Sequence, residues 1–211
     1  MIRHILFDVD CTLYSSRYGF EENVVNRMMQ YIAQLLGVDV EEAAAERNKH
    51  IGRYGTTLEW LMAEKNFTNI DDYFVKIHPE NEADSLPPDP ELRKFIKSLP
   101  CPCSVLTNAP LFHAERIIQK LEMEGVFLRV FDIIENGYKG KPHASAYRYA
   151  LDSLGLQPDE VLFIDDIPRY VQGYLAMGGK GVLYDELDAY AGYPNERIKS
   201  LYELTRFLDQ A

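Results

Sequence analysis

Short apolar runs alternate with stretches of helical periodicity along most of this chain. Ile5-Leu6-Phe7, Ser104-Val105-Leu106, Val130 to Ile134 and Val161-Leu162-Phe163-Ile164 read as buried parallel strands, with Gly181-Val182-Leu183-Tyr184 as a fifth. Between them, about Ala114 to Met123 and about Ala144 to Leu154 carry apolar residues at three- and four-residue intervals, with Gly125 and Gly155 as stops. The alternation predicts an α/β fold, a doubly wound, Rossmann-like parallel sheet. Near the end, Arg197 to Leu208 predicts an amphipathic helix that closes the core.

From about Ser15 to Asp84 the pattern changes. Helical spacing recurs at Glu21 to Leu36, Val40 to Ile51, Thr57 to Asn66 and Ile70 to Ile77, without a convincing strand. Leu86-Pro87-Pro88-Asp89-Pro90 is the strongest loop signal in the chain and marks the return to the sheet. The expected organisation is therefore a core of residues 1–14 and 85–211 with an inserted helical cap at 15–84.

Composition narrows the partners. With 211 residues, 46% of them hydrophobic, the chain can bury a sizeable core. Twenty-two Lys and Arg against 33 Asp and Glu leave a formal charge of -11, which argues against a nucleic acid polymer or an anionic membrane as partner. The same field repels a small phosphate ester, so such a substrate needs a local cation and a metal ion to reach its site. Cys11, Cys101 and Cys103 form no zinc pattern and suit a reducing cytoplasm. The N-terminus is too short in apolar residues for a secretory signal, and no run approaches the roughly 18 apolar residues of a membrane span.

In an open parallel sheet, ligands gather at the carboxyl ends of the strands. There the sequence places Asp8, Asp10 and Thr12 after the first run, Thr107 and Asn108 after the second, and Asp165 and Asp166 after the fourth. Positions i and i+2 of an extended chain face the same side, so Asp8 and Asp10 can approach one reacting centre. So dense a carboxylate cluster calls for a cation, and an all-oxygen donor set suits Mg²⁺. Taken singly, D-x-D-x-T could be a capped turn, Thr107-Asn108 a helix cap, Asp165-Asp166 a solvated pair and Lys141 an exposed loop lysine. As an ordered set they are hard to explain as structure alone.

The segments Phe7-Asp8-Val9-Asp10-Cys11-Thr12-Leu13-Tyr14, Leu106-Thr107-Asn108-Ala109, Lys141-Pro142 and Phe163-Ile164-Asp165-Asp166 resemble the four ordered motifs of the haloacid dehalogenase-like superfamily. The helical insertion matches the cap that many members carry. The resemblance implies that Asp8 is the nucleophile that attacks phosphorus, and Asp10 the general acid and base. It also implies Mg²⁺ held by Asp8, the backbone carbonyl of Asp10 and Asp166, with Asp165 acting directly or through water. Thr107, the backbone of Asn108 and Lys141 would hold the phosphoryl group. Dehalogenases of this superfamily lack an acid at the position of Asp10, which favours phosphoryl chemistry here. One departure stands out: Ile167 and Tyr170 occupy positions where many members have a small polar residue and an Asn.

For the substrate, Tyr14 and the run Tyr54-Gly55-Thr56-Thr57-Leu58-Glu59-Trp60-Leu61 look like the pyrimidine 5′-nucleotidase subgroup. Tyr14, Tyr18, Tyr54 and Trp60 are the candidates to stack on a base, although aromatic residues in a helical cap also serve as its own small core. The expectation is a Mg²⁺-dependent phosphomonoesterase acting on a small phosphorylated metabolite, in the first place a nucleoside 5′-monophosphate. The alternatives are a phosphatase of a sugar phosphate or small phosphorylated acid, a β-phosphoglucomutase-like phosphomutase and, last, a non-catalytic binding protein.

Overall fold

In the computed structural model, which describes residues 1–208, the chain divides into two compact units, Met1–Ser15 with Leu86–Ala211 and Ser16–Ser85. The division falls one residue from the boundaries expected at 14/15 and 84/85, and residues 209–211 of the expected core lie outside the described residues.

The first unit is built on a six-stranded parallel sheet. Its strands are β1 (His4–Phe7), β2 (Cys103–Leu106), β3 (Val130–Phe131), β4 (Val161–Asp165), β5 (Lys180–Tyr184) and β6 (Arg197–Ile198), in the spatial order β3-β2-β1-β4-β5-β6. The chain lays β2 and β3 to one side of β1 and then crosses to lay β4, β5 and β6 to the other, which sets the topological switch point between β1 and β4. Register is fixed by burial, since a one-residue slip would exchange core and opposite faces. Leu6 lies opposite Ser104 on one side and Phe163 on the other. Leu6, Leu106, Phe131, Val161 and Phe163 then pack on Tyr147, Ala150, Leu151 and Tyr174 from two helices outside the sheet.

The second unit carries α1 (Phe20–Leu36), α2 (Val40–His50), α3 (Thr57–Lys65) and α4 (Ile70–Ile77). Gly37 ends α1 in the left-handed conformation at φ 68°, where a side chain would be strained. Asp39 and Thr56 cap the next two helices by accepting from the backbone N–H groups of Glu42 and Glu59. The interior is aromatic: Tyr31 meets Tyr73 and Phe67 edge-on, and Trp60 stacks on His50 at 5.0 Å.

The remaining helices belong to the sheet unit: α5 (Pro90–Ser98), α6 (Leu111–Lys120), α7 (Ala144–Leu154) and α8 (Pro168–Leu175). Four sequence expectations are corrected. The third strand stops at Phe131 instead of reaching Ile134, because the Asp132 carboxylate turns to accept from the N–H groups of Leu111 and Glu135. The helix expected from Ala114 starts at Leu111 and ends before Leu121, so Gly125 is not its stop. α5 and α8, each opening on a proline at its first turn, were not foreseen. Arg197 to Leu208 is not one helix: Arg197 and Ile198 pair with Leu183 and Tyr184 as β6, and Arg197 is tied to Asp185 at 2.6 Å. A capping box between Ser200 and Glu203 then starts a short 3₁₀ helix, Leu201–Phe207.

Candidate active site

Beyond its last paired residue, β1 runs on for one more step, with the Asp8 N–H donating to the Ile164 carbonyl at 2.9 Å. The chain then folds into a tight turn in which Thr12 and Leu13 N–H groups donate to the Val9 carbonyl, and Cys11 takes a left-handed φ of 56°. Asp8 is thus held in the sheet, while Asp10 sits on the turn with a third of its side chain exposed (33%).

The loop before α7 delivers Lys141, which is fully buried. Its Nζ lies 2.6 Å from Asp8 Oδ1 and 2.6 Å from Asp165 Oδ2. The ammonium also lies 5.5 Å from the Phe163 ring centre and 5.3 Å from that of Tyr170, so two aromatic faces and two carboxylates share it. Tyr170, one of the two residues that depart from the family pattern, therefore packs directly on the site lysine. The other Asp165 oxygen accepts from the Ile167 N–H at 2.8 Å, which sets the first turn of α8.

Burial governs the ionisation of this cluster. It pushes the Asp8 carboxyl up, to about 8; Lys141 pulls the other way, and the Asp165 and Asp10 charges add to the rise. Asp165 is raised for the same first reason. Burial would lower the Lys141 ammonium, but the facing Asp165 and Asp8 carboxylates outweigh it and hold the lysine above its ordinary value. One ammonium thus faces more negative charge than it can balance.

Oxygens of Asp8, Asp165 and Asp166 lie within 4.8 Å of one another. Three carboxylates at that spacing are a fitting donor set for a hard divalent cation, and the charge imbalance around Lys141 gives the physical reason for one.

The β2 loop completes the arrangement. Thr107 is buried, with its hydroxyl accepting from the Ala109 N–H at 3.0 Å. Asn108 exchanges two hydrogen bonds with the main chain of Lys141: its amide donates to the Lys141 carbonyl at 3.0 Å, and the Lys141 N–H donates to its Oδ1 at 2.7 Å. The Asn108 side chain is therefore committed to placing Lys141.

Two neighbours of Asp10 complete the picture. Tyr14 donates its hydroxyl to Asp10 Oδ1 at 2.6 Å, and His113 Nε2 lies 2.9 Å from the same oxygen. Burial and the Asp10 charge drive the Tyr14 phenol far above its usual range, so it stays protonated and donates to Asp10. His113 escaped the sequence reading. Its signal was its place: in the first turn of the helix after β2, a few residues beyond Thr107-Asn108, at the ligand-bearing edge of the sheet. Among the aromatic candidates, Tyr14 is engaged by Asp10, and Trp60 is buried against His50. Tyr54 donates to Glu64 at 2.7 Å, and Tyr18 is 47% exposed.

A family model for haloacid dehalogenase-like hydrolases matches residues 2–178, and the chain belongs to that family. A curated relative, the glyceraldehyde 3-phosphate phosphatase of Methanocaldococcus jannaschii, is 25% identical over 226 aligned positions covering 99% of each chain. Among solved structures, a HAD phosphatase from Thermococcus onnurineus has a TM-score of 0.66 at 17% identity, covering 99% of this chain and 98% of its own. The L-2-haloacid dehalogenase of Xanthobacter autotrophicus has a TM-score of 0.61 at 16% identity with full coverage of both chains. The fold alone accommodates either chemistry. The family makes the chain a hydrolase of the haloacid dehalogenase-like kind.

Proposed function

We propose that the chain is a Mg²⁺-dependent phosphomonoesterase in which Asp8 forms a transient aspartyl-phosphate. The observation that carries this reading is the buried constellation in which Lys141 lies 2.6 Å from Asp8, with Asp165 and Asp166 close by. A carboxylate nucleophile divides the reaction into two easier displacements at phosphorus. In the first, Asp8 attacks and Asp10 donates its proton to the departing alkoxide. In the second, Asp10 takes a proton from the water that attacks the phosphorus of the acyl phosphate, releasing inorganic phosphate and regenerating Asp8.

Lys141 opposes the rise that burial imposes on the Asp8 carboxyl and offers charge to the phosphoryl group, with Thr107 and the backbone of Asn108 as hydrogen-bond donors to it. Asp8, the Asp10 carbonyl and Asp166 would hold the Mg²⁺. Asp165 has both oxygens accepting, from Lys141 and Ile167, and would support the cation directly or through water. When bound, the cation neutralises charge on the phosphoryl oxygens.

The substrate reading is a small phosphorylated metabolite. The relative that acts on glyceraldehyde 3-phosphate supports a short sugar phosphate, because its likeness to this chain extends over the full length of both. The nucleoside monophosphate reading rests chiefly on Tyr18, since Tyr14 donates to Asp10, Tyr54 donates to Glu64 and Trp60 is buried against His50. The test is phosphate release from glyceraldehyde 3-phosphate, hexose phosphates, UMP and CMP, each with Mg²⁺ and with EDTA. Metal-dependent turnover with a preference for the short sugar phosphate is expected. A preference for UMP and CMP would restore the nucleotide reading, and dependence on a sugar bisphosphate with little phosphate release would replace hydrolysis with a phosphomutase.

A further inference from the structure

We infer that His113 and Tyr14 are positioning residues that fix which oxygen of Asp10 carries the catalytic proton, an inference that rests on the acid and base role proposed for Asp10. Both converge on the same atom: the Tyr14 hydroxyl at 2.6 Å and His113 Nε2 at 2.9 Å from Asp10 Oδ1. An ionised carboxylate only accepts, so both groups donate. An oxygen that already accepts two hydrogen bonds binds a proton poorly, and the proton is left to Oδ2. The pair also stops rotation of the carboxyl group, which would otherwise interchange the two oxygens.

The supports of this pair are rigid and independent. His113 is buried, at 2% exposure, in the first turn of α6, and that turn is held by Asp132 through the Leu111 N–H at 2.8 Å. Tyr14 is buried and comes from the turn after β1, four residues beyond Asp10. One donor thus arrives from the turn after β1 and the other from the helix after β2. Asp10 itself is partly exposed and sits on a turn, and these two donors restrict the rotamers open to its carboxyl. Placing a proton-transfer group to a fraction of an ångström is where much of the rate of such a step originates.

The test exploits the chemistry of the leaving group. An alkyl phosphate expels a strongly basic alkoxide and needs the proton of Asp10, whereas 4-nitrophenyl phosphate expels a stable phenolate and does not. We expect His113→Ala to lower kcat/KM for an alkyl phosphate by about 10²-fold, while changing that for 4-nitrophenyl phosphate by less than about threefold. His113→Gln, which keeps a donor, should recover part of the loss, and Tyr14→Phe should show the same leaving-group dependence in weaker form. If the Ala variant does not fold, the Gln and Phe variants carry the comparison. An equal loss on both substrates, or none, overturns the inference. Asp10→Asn separates the two levels: if it shows the leaving-group dependence and the His113 and Tyr14 variants do not, only this inference fails. If Asp10→Asn lacks it too, the acid and base reading fails with it.

Discussion

Asn108 and Lys141 are joined by two reciprocal hydrogen bonds, side-chain amide to main-chain carbonyl at 3.0 Å and main-chain N–H to side-chain oxygen at 2.7 Å. The loop after β2 thereby grips the loop that delivers the site lysine. Asn108→Ala leaves both main-chain groups of Lys141 without these partners, a loss of about 1–3 kcal/mol for a buried group. The expected outcome is a lower urea midpoint together with at least a tenfold drop in kcat, because the ammonium loses its fixed approach to Asp8. A variant with unchanged kcat would show that Lys141 is placed by its side-chain partners alone.

Lys141 is the counter-charge of two buried carboxylates. Lys141→Met keeps the volume of the stem and removes the charge, which for a buried pair costs about 3–5 kcal/mol. Burial already raises Asp8, and without the ammonium its carboxyl rises further. The sign follows: a carboxyl raised in the folded state favours folding while protonated, and loses that contribution as the pH climbs through its folded value. Metal-free Lys141→Met should therefore be most destabilised above pH 8 and recover toward pH 5, as measured by urea unfolding in EDTA.

Tyr170 faces the same ammonium at 5.3 Å from its ring centre. Tyr170→Phe keeps the ring face and should keep activity near that of the parent. Tyr170→Leu removes a cation–π contact worth about 0.5–2 kcal/mol. A fall in kcat with little change for Phe would show that the ring face stands in for the polar residue found in many relatives. Equal losses for Phe and Leu would point to the hydroxyl, which accepts from Arg169 at 3.0 Å.

His4, buried in β1, has its pKa lowered by burial to about 4. A lowered histidine contributes stability above its unfolded value of about 6.5 and loses it as the pH falls toward 4. Its Nε2 has no hydrogen-bond partner among the described residues, so the neutral ring is the form the core accepts. His4→Leu should remove part of the acid-side loss of stability: the difference in unfolding free energy between variant and parent shifts in favour of the variant from pH 7 to pH 5. A constant difference would mean that His4 is not the group that titrates.

Much of this architecture is legible in the chain because the strands of a buried parallel sheet are short, continuous apolar runs. β1, β2, β4 and β5 are such runs, and the residues at or just beyond the carboxyl ends of β1, β2 and β4 are the candidates Asp8, Asp10, Thr107, Asn108, Asp165 and Asp166. What the sequence hid depends on contacts between distant segments. β6 exists because Arg197 reaches Asp185, and the third strand is short because Asp132 leaves it to cap α6. His113 was missed because a histidine in a helical turn has no local pattern that distinguishes it. Only the fold brings it to Asp10. Trp60 misled for the opposite reason: its neighbourhood resembles a nucleotide-binding subgroup, but its ring fills the interior of the helical unit.

The most direct test of the account is to trap the intermediate on Asp8. The protein is mixed with substrate and Mg²⁺, treated with borohydride, which reduces an acyl phosphate to the alcohol, and digested for mass spectrometry. The account predicts conversion of the residue-8 side chain from aspartate to homoserine, dependent on substrate and Mg²⁺ and absent from Asp8→Asn, which should have no turnover. An unmodified residue 8 under steady turnover, with activity surviving in Asp8→Asn, would contradict it.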